Sequence, residues 1–325
     1  MLEAKVLSSI VFPNDGSAGH ATSGPCPSCA RAFRPLVDLA PSYFQQGKVT
    51  CSHCGTDADL WSVVLGYAMA IPASAWSLTS LGAESAHLVM PMRTGDYYTV
   101  NIRDHGATED ARILSASYTS QGGPEGAVTA LETHGNMPLR RVVGTEIGLY
   151  GRPLGEGPIP RTGNVAISIV WIRAEDSESW PYLVSAFESV AARDYAPALV
   201  FAQSAVEISL MPMISKRLKQ RVGAKRVEAF MKDSLVYSHG LNVVLPYLCG
   251  EIGIQPLPEV IRGSLNTLRG IRNEIIHEGV SSKAISRETV TEGLTAAVFG
   301  FEFMRYAGPL LLQNKAYRAE PGLDA

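Results

Sequence analysis

Arg272-Asn273-Glu274-Ile275-Ile276-His277 closes a stretch, Pro258 to His277, whose apolar residues recur every three or four positions. That period is helical. Pro258 sits where helix starts tolerate proline, and Gly279 follows as a natural C-terminal stop. The six residues are therefore predicted to ride on the last turns of a helix. Asn273 and His277, four apart, share a face there and can hydrogen-bond. Arg272 lies about 140° around the axis from His277 and about 7.5 Å along it, a gap that a long side chain spans toward one phosphate. A guanidinium holds phosphate through paired hydrogen bonds, and an imidazole passes protons near neutral pH. Position 277 lies at the negative end of the helix dipole, which suits a cation. Together these groups can cut a phosphodiester without a metal. The plain alternative is a histidine that caps its helix beside an arginine bound to a neighbouring carboxylate. Glu274 and Glu278 flank the motif and would repel RNA if they face the same way.

Outward from this motif, residues 177–325 keep the helical period. Helices are predicted over Ser179–Val190, Ala196–Leu218, Arg226–Leu248, Pro258–His277 and Ser286–Leu312, five in one all-α bundle. Pro197 fits a helix start, whereas Pro212 should kink or end the second long helix. Lys216, Arg217, Lys219, Arg221, Lys225 and Arg226 place six basic residues in eleven positions with no acid among them. Such a run can steer an RNA backbone, or it can be the solvated cationic end of a helix. Glu207, inside an apolar run, either pairs with Arg269 or Arg272 or faces solvent. Cys249 reads as a buried thiol.

The run "LRGIRNEIIHEG" and its place on a late helix, with one more long helix after it, resemble a HEPN domain of the Apea-like kind. That signature is Arg, four to six residues, then His, often with Asn after the Arg; here these are Arg272, Asn273 and His277. The resemblance covers roughly residues 180 to 315. It implies a metal-independent endoribonuclease working as a homodimer, with two motif copies facing one composite site. In it His277 is the general acid or base, Arg272 stabilises charge on the scissile phosphate, and Asn273 orients His277. The implied products carry 2′,3′-cyclic phosphate and 5′-hydroxyl ends, and the implied role is a toxin or antiviral defence effector. The alternative is a catalytically inactive HEPN module that dimerises and binds nucleic acid or a nucleotide.

Residues 66–176 change to strand patterning. Short runs rich in β-branched and aromatic residues fall at His87–Met92, Tyr97–Ile102, Ile113–Thr119, Ala127–Thr133, Val142–Tyr150 and Val165–Ile172. Turn-forming Thr94-Gly95-Asp96, Gln121-Gly122-Gly123-Pro124 and Gly135-Asn136 separate them. A hairpin is predicted around Gly122-Gly123-Pro124, and the whole as a small antiparallel sandwich or barrel. Gly151 to Pro160 lacks the strand, GxGxxG and helix order of a phosphate cradle. His134, Arg140 and Arg141 are either part of a binding edge or a solvated strand end.

Residues 1–65 hold Cys26-Pro27-Ser28-Cys29 and Cys51-Ser52-His53-Cys54, separated by 21 residues. Each CxxC turns two thiolates toward one ion, and two such knuckles complete a tetrahedral site; the pattern resembles a zinc ribbon. Zinc bound by Cys26, Cys29, Cys51 and Cys54 is expected to be structural, because four thiolates leave no position for substrate. That also argues against a zinc-dependent hydrolase. The ribbon is read as a staple, or as a contact to nucleic acid or a partner. His53, inside its knuckle, is expected to be exposed.

The predicted fold class is thus multidomain α+β: zinc ribbon, antiparallel β-sandwich or barrel, and all-α helical bundle. Among 325 residues, 46% are hydrophobic and 18% charged, with a formal net charge of −3. That excludes a polycation coating nucleic acid, so any RNA contact is a local patch. The first residues lack the pattern of a signal peptide. The most apolar stretch, Tyr195 to Ile214, carries Glu207 and Pro212 and is read as a buried helix rather than a membrane span. A cytoplasmic location with no membrane partner is the expectation.

Overall fold

A computed structural model describes residues 23–71, 84–123, 126–134, 137–138, 144–173, 178–233, 236–279 and 284–313. It is mixed α+β, and the chain divides into two compact units rather than three. One spans Gly82–Glu175; the other joins Thr22–Leu81 to Asp176–Ala325. The cysteine segment therefore belongs to the same unit as the C-terminal helices. The predicted cut near residue 65 would fall inside a helix.

That segment begins with the first cysteine knuckle, closed by a bridge between Pro25 and Ala32. Helix α1 (Leu36–Gln46) follows and buries Leu36, Ala40, Tyr43 and Phe44 along one stripe. It stops at Gly47, in the left-handed region with φ of 72°, whose N–H donates to the Tyr43 carbonyl at 2.7 Å. A short hairpin of β1 (Val49–Thr50) and β2 (Asp57–Ala58) carries the second knuckle. Helix α2 (Leu60–Ala70) starts at Asp59, whose carboxylate accepts from the Ser62 N–H at 3.1 Å. The Tyr43 hydroxyl donates to the other oxygen of Asp59 at 2.8 Å and ties α1 to α2.

The β unit comprises β3 (Glu84–Arg93), β4 (Tyr97–Asn101), β5 (Ala111–Gly122), β6 (Val128–His134), β7 (Met137–Pro138), β8 (Glu146–Pro153) and β9 (Thr162–Arg173). They form two antiparallel sheets, ordered β3-β9-β5 and β4-β8-β6-β7. Alternate side chains of both sheets fill one core, including Met92, Val100, Ile147, Leu149, Val165, Ile167 and Trp171. The strand positions follow the sequence pattern, but the expected hairpin does not form: β5 pairs with β9, whereas β6 pairs with β8 and β7. Close backbone approach explains the crossing. A Cβ on Gly123 would lie 2.7 Å from the Gly163 Cα, so this glycine lets the chain leave one sheet against β9 and enter the other.

The second part of the helical unit contains α3 (Trp180–Ala191), α4 (Tyr195–Val222), α5 (Ala224–Asp233), α6 (Tyr237–His239), a π-helical turn at Gly240–Val244, α7 (Leu245–Glu251), α8 (Glu259–Glu278) and α9 (Arg287–Gln313). The single helix expected over Arg226–Leu248 is interrupted at Val236, whose backbone is extended (φ −98°, ψ 158°), and helical structure resumes at Tyr237. Helix α4 also continues past Pro212, which does not end it. It is long and apolar enough to cross a membrane by length and composition, yet half of its most apolar window is buried within the fold. Among its buried residues are Gln203 and Arg217.

Helix α9 is buried almost continuously from Val290 to Met304 and forms the axis of this unit. Gly293 and Gly300 let it approach its neighbours. An added Cβ would meet Leu199 at 2.8 Å from Gly293, and Leu265 at 3.2 Å from Gly300. Its other side carries the cysteine segment: Tyr43 and Trp61 meet the Phe299 ring at 5.8 and 5.4 Å, and Phe44 meets Phe303 at 5.0 Å. These aromatic contacts pack α1 and α2 against α9.

Candidate metal centre and Arg–His motif

The four predicted cysteines converge, with all ligand atoms within 4.8 Å of one another. Cys26 Sγ lies 3.7 Å from Cys54 Sγ, and Cys29 Sγ lies 3.7 Å from Cys51 Sγ. A tetrahedron of ~2.3 Å zinc–sulfur bonds has edges of about 3.8 Å, so the cluster can hold a metal such as zinc. The two knuckles are built alike. The N–H of Ala30 donates to the Cys26 carbonyl, and that of Gly55 to the Cys51 carbonyl, both at 2.9 Å. Cys26 and Cys51 donate in turn to the carbonyls of Arg31 and Thr56, at 2.8 and 2.9 Å.

The turn residue is left-handed in both, with φ of 72° at Gly55 and 59° at Ala30. Ala30 was invisible as a turn signal because it is not glycine. His53 is exposed, as expected.

The electrostatics of the thiols are uneven. The Thr56 hydroxyl and then its N–H draw the Cys54 thiol down to about 6. The Arg31 N–H acts in the same direction on Cys29, but burial and the three neighbouring thiols push that group up to about 11. Four sulfurs this close cannot all be thiolates unless a cation separates their charges.

The Arg–His motif occupies the last turns of α8, as predicted, and Gly279 stops the helix with φ of 70°. Ile261, Ser264, Leu265 and Leu268 fix the buried face of α8. Arg272 and Asn273 are half-buried, whereas Glu274, His277 and Glu278 are exposed. The expected Asn273–His277 bond is replaced by another: Arg272 Nη1 donates to Asn273 Oδ1 at 3.1 Å. Asn273 thus braces the guanidinium, and the imidazole is left facing outward. Arg272 Nε is buried and has no hydrogen-bond partner among the described residues.

Glu207 makes no ion pair with Arg269 or Arg272 among the described residues. It acts with Arg269 on Tyr237, whose hydroxyl is pushed up chiefly by burial and further by the Glu207 charge, while Arg269 opposes this. The Arg269 guanidinium lies 5.7 Å over the Tyr237 ring.

The basic run is not one open patch. Arg217 is 1% exposed, with Nη2 3.6 Å from Glu251 Oε2; Arg221 approaches the same oxygen at 3.3 Å. Lys219 pairs with Glu228 at 3.0 Å. Glu228 lies two residues past the run on α5, whereas Glu251 comes from α7 and only tertiary packing reveals it. Lys216, Lys225 and Arg226 remain exposed cations with no ion pair among the described residues. Cys249 is fully buried, and burial pushes its thiol up to about 12.

In the β unit, Ser168 Oγ lies 2.5 Å from His87 Nδ1 on the outer face of the three-stranded sheet. Strand β9 is paired on both sides, so its backbone donors serve the ladder and offer no oxyanion hole. His134 ends β6, but its side chain, like Arg140 and Arg141, lies outside the described residues. Comparison with protein-family models, curated proteins and solved structures finds no match.

Proposed function

We propose that the helical unit is a metal-independent endoribonuclease of the HEPN type, with zinc at the cysteine cluster serving structure alone. The observation that carries this reading is the exposed His277 in the last turn of α8, beside an arginine held by Asn273. Arg272 supplies fixed positive charge to the scissile phosphate, and its planar fork suits two phosphate oxygens. An imidazole takes the proton of the ribose 2′-hydroxyl as that oxygen bonds to phosphorus. The bond from phosphorus to the 5′-oxygen breaks, and an imidazolium returns a proton to the leaving oxygen. The products are a 2′,3′-cyclic phosphate and a 5′-hydroxyl. One imidazole cannot act as base and acid at once, so a second copy of α8 in a homodimer supplies the other. Lys216, Lys225 and Arg226 add electrostatic attraction for RNA. A role as toxin or antiviral effector accords with this chemistry.

A second reading is favoured by the outward-facing Glu274 and Glu278: an inactive HEPN module that dimerises and binds nucleic acid or a nucleotide. Cleavage of mixed RNA in excess EDTA, with zinc retention checked, separates the two. Wild type is expected to leave cyclic-phosphate ends, and His277→Ala and Arg272→Ala to lower the rate by at least about a hundredfold. RNA binding without cleavage by wild type would select the second reading, and equal cleavage by all three proteins would remove the motif from the chemistry.

A further inference from the structure

The outer face of the four-stranded sheet carries a feature that no sequence spacing announces. Tyr97 on β4, Tyr150 on β8 and Leu131 on β6 lie directly opposite one another in the ladder. All three are exposed, the tyrosines at 46% and 37%. The two rings are neighbours, with centroids 6.2 Å apart and planes tilted 58° to each other. Arg152, also exposed, is the next outward residue along β8 and lies opposite Thr129. On the other side of Tyr150, Gly148 adds no side chain between the rings and Thr99. The row thus offers two separately inclined aromatic faces, with a cation on one flank and a hydroxyl on the other. Glu146 lies farther along, accepting from Asn101 Nδ2 at 3.0 Å, so that carboxylate is engaged at the rim.

We infer that this face binds single-stranded nucleic acid by stacking two unpaired bases on Tyr97 and Tyr150, with Arg152 meeting an adjacent phosphate. Neighbouring rings on an antiparallel sheet accept successive bases because each nucleobase has a π-face, and duplex bases are not free to do so. The cation beside the rings gives charge complementarity to the backbone that a purely apolar protein patch would lack. The inference concerns the β unit and stands whether or not α8 cleaves RNA.

The test uses the full-length chain carrying His277→Ala, so that cleavage cannot obscure binding. The probe is a labelled twelve-nucleotide single-stranded RNA of mixed sequence, read by anisotropy and tyrosine quenching. Tyr97→Ala with Tyr150→Ala is expected to weaken binding on the order of a hundredfold, about tenfold for each ring. Tyr97→Phe with Tyr150→Phe should retain affinity, because stacking needs the ring and not the hydroxyl; this pair also controls for folding. Arg152→Ala should lower the salt dependence by about one phosphate contact. Unchanged affinity in the double alanine protein would overturn the inference. So would preference for duplex RNA or an oligosaccharide over the single strand.

Discussion

The cysteine cluster and the Arg–His motif answer the same kind of signal, a short fixed spacing, in opposite ways. Cys26, Cys29, Cys51 and Cys54 arrive from two separate knuckles and meet within 4.8 Å. Arg272 and His277 share one helix, but Arg272 turns to Asn273 while His277 faces solvent. A soft cation needs four thiolates at one point, so the fold must deliver them together. The fold closes the sulfur cluster within the chain, whereas it leaves the imidazole of the second pair open to solvent.

The sharpest way to break this contrast is to open the closed site. Cys26→Ser with Cys51→Ser should reduce zinc from one per chain to none and cost several kcal/mol, the largest effect expected. Metal analysis and thermal melting would check it, and an unchanged midpoint would show that the cluster supports nothing. Next is the link between cluster and bundle. Phe303→Ala should cost about 3–5 kcal/mol through the cavity it leaves. It should also speed amide exchange in α1, because Phe44 rests on that ring. Exchange confined to α9 would separate the cysteine segment from the bundle again.

Alkaline pH probes both units through two tyrosines. Burial first, then the bond to Asp59, pushes Tyr43 above the ordinary tyrosine range; burial and Glu132 do the same to Tyr118. Folded groups with raised values contribute fully below the unfolded value of about 10 and lose that contribution as pH rises. Each should destabilise its unit by at most about 1.4 kcal/mol per pH unit above that point. Melting from pH 8 to 11 checks this, and Tyr43→Phe should flatten the response of the helical unit. Smaller still, Ala30→Gly should stabilise the first knuckle by about 1 kcal/mol by relieving its left-handed backbone. At the bottom of the scale, His277→Ala should change stability by less than about 0.5 kcal/mol, since the side chain is exposed. A large loss there would mean that the motif is structural.

Much of the fold was legible because it depends on local period. The long helices and the six strands β3, β4, β5, β6, β8 and β9 fall where apolar residues repeat at helical or alternating spacing. Helices α1 and α2 went unread beside the cysteine signal, although Gly47 and Asp59 mark their ends. The interruption at Val236 carried no clear punctuation, and apolar period continued across it. Among the candidate sites, the convergence of the four cysteines was fully legible, whereas the pairing of the basic run with Glu251 was not, because that acid reaches it from another helix. The Tyr97–Tyr150 row could not be read at all, since strand register brings together residues far apart in sequence.

The sequence by itself determined which residues form helices and strands, which thiols can share an ion, and that Arg272 and His277 end one helix. Periodicity, glycine stops and ligand spacing are local properties, and a chain carries them before it folds. Only the tertiary structure decided that the cysteine segment joins the C-terminal helices, that β5 and β6 part into different sheets, and that Asn273 serves Arg272. Those outcomes turn on aromatic rings meeting across α9, on backbone approach at Gly123, and on which neighbour a half-buried guanidinium reaches first. They depend on contacts between distant residues, which no local pattern encodes.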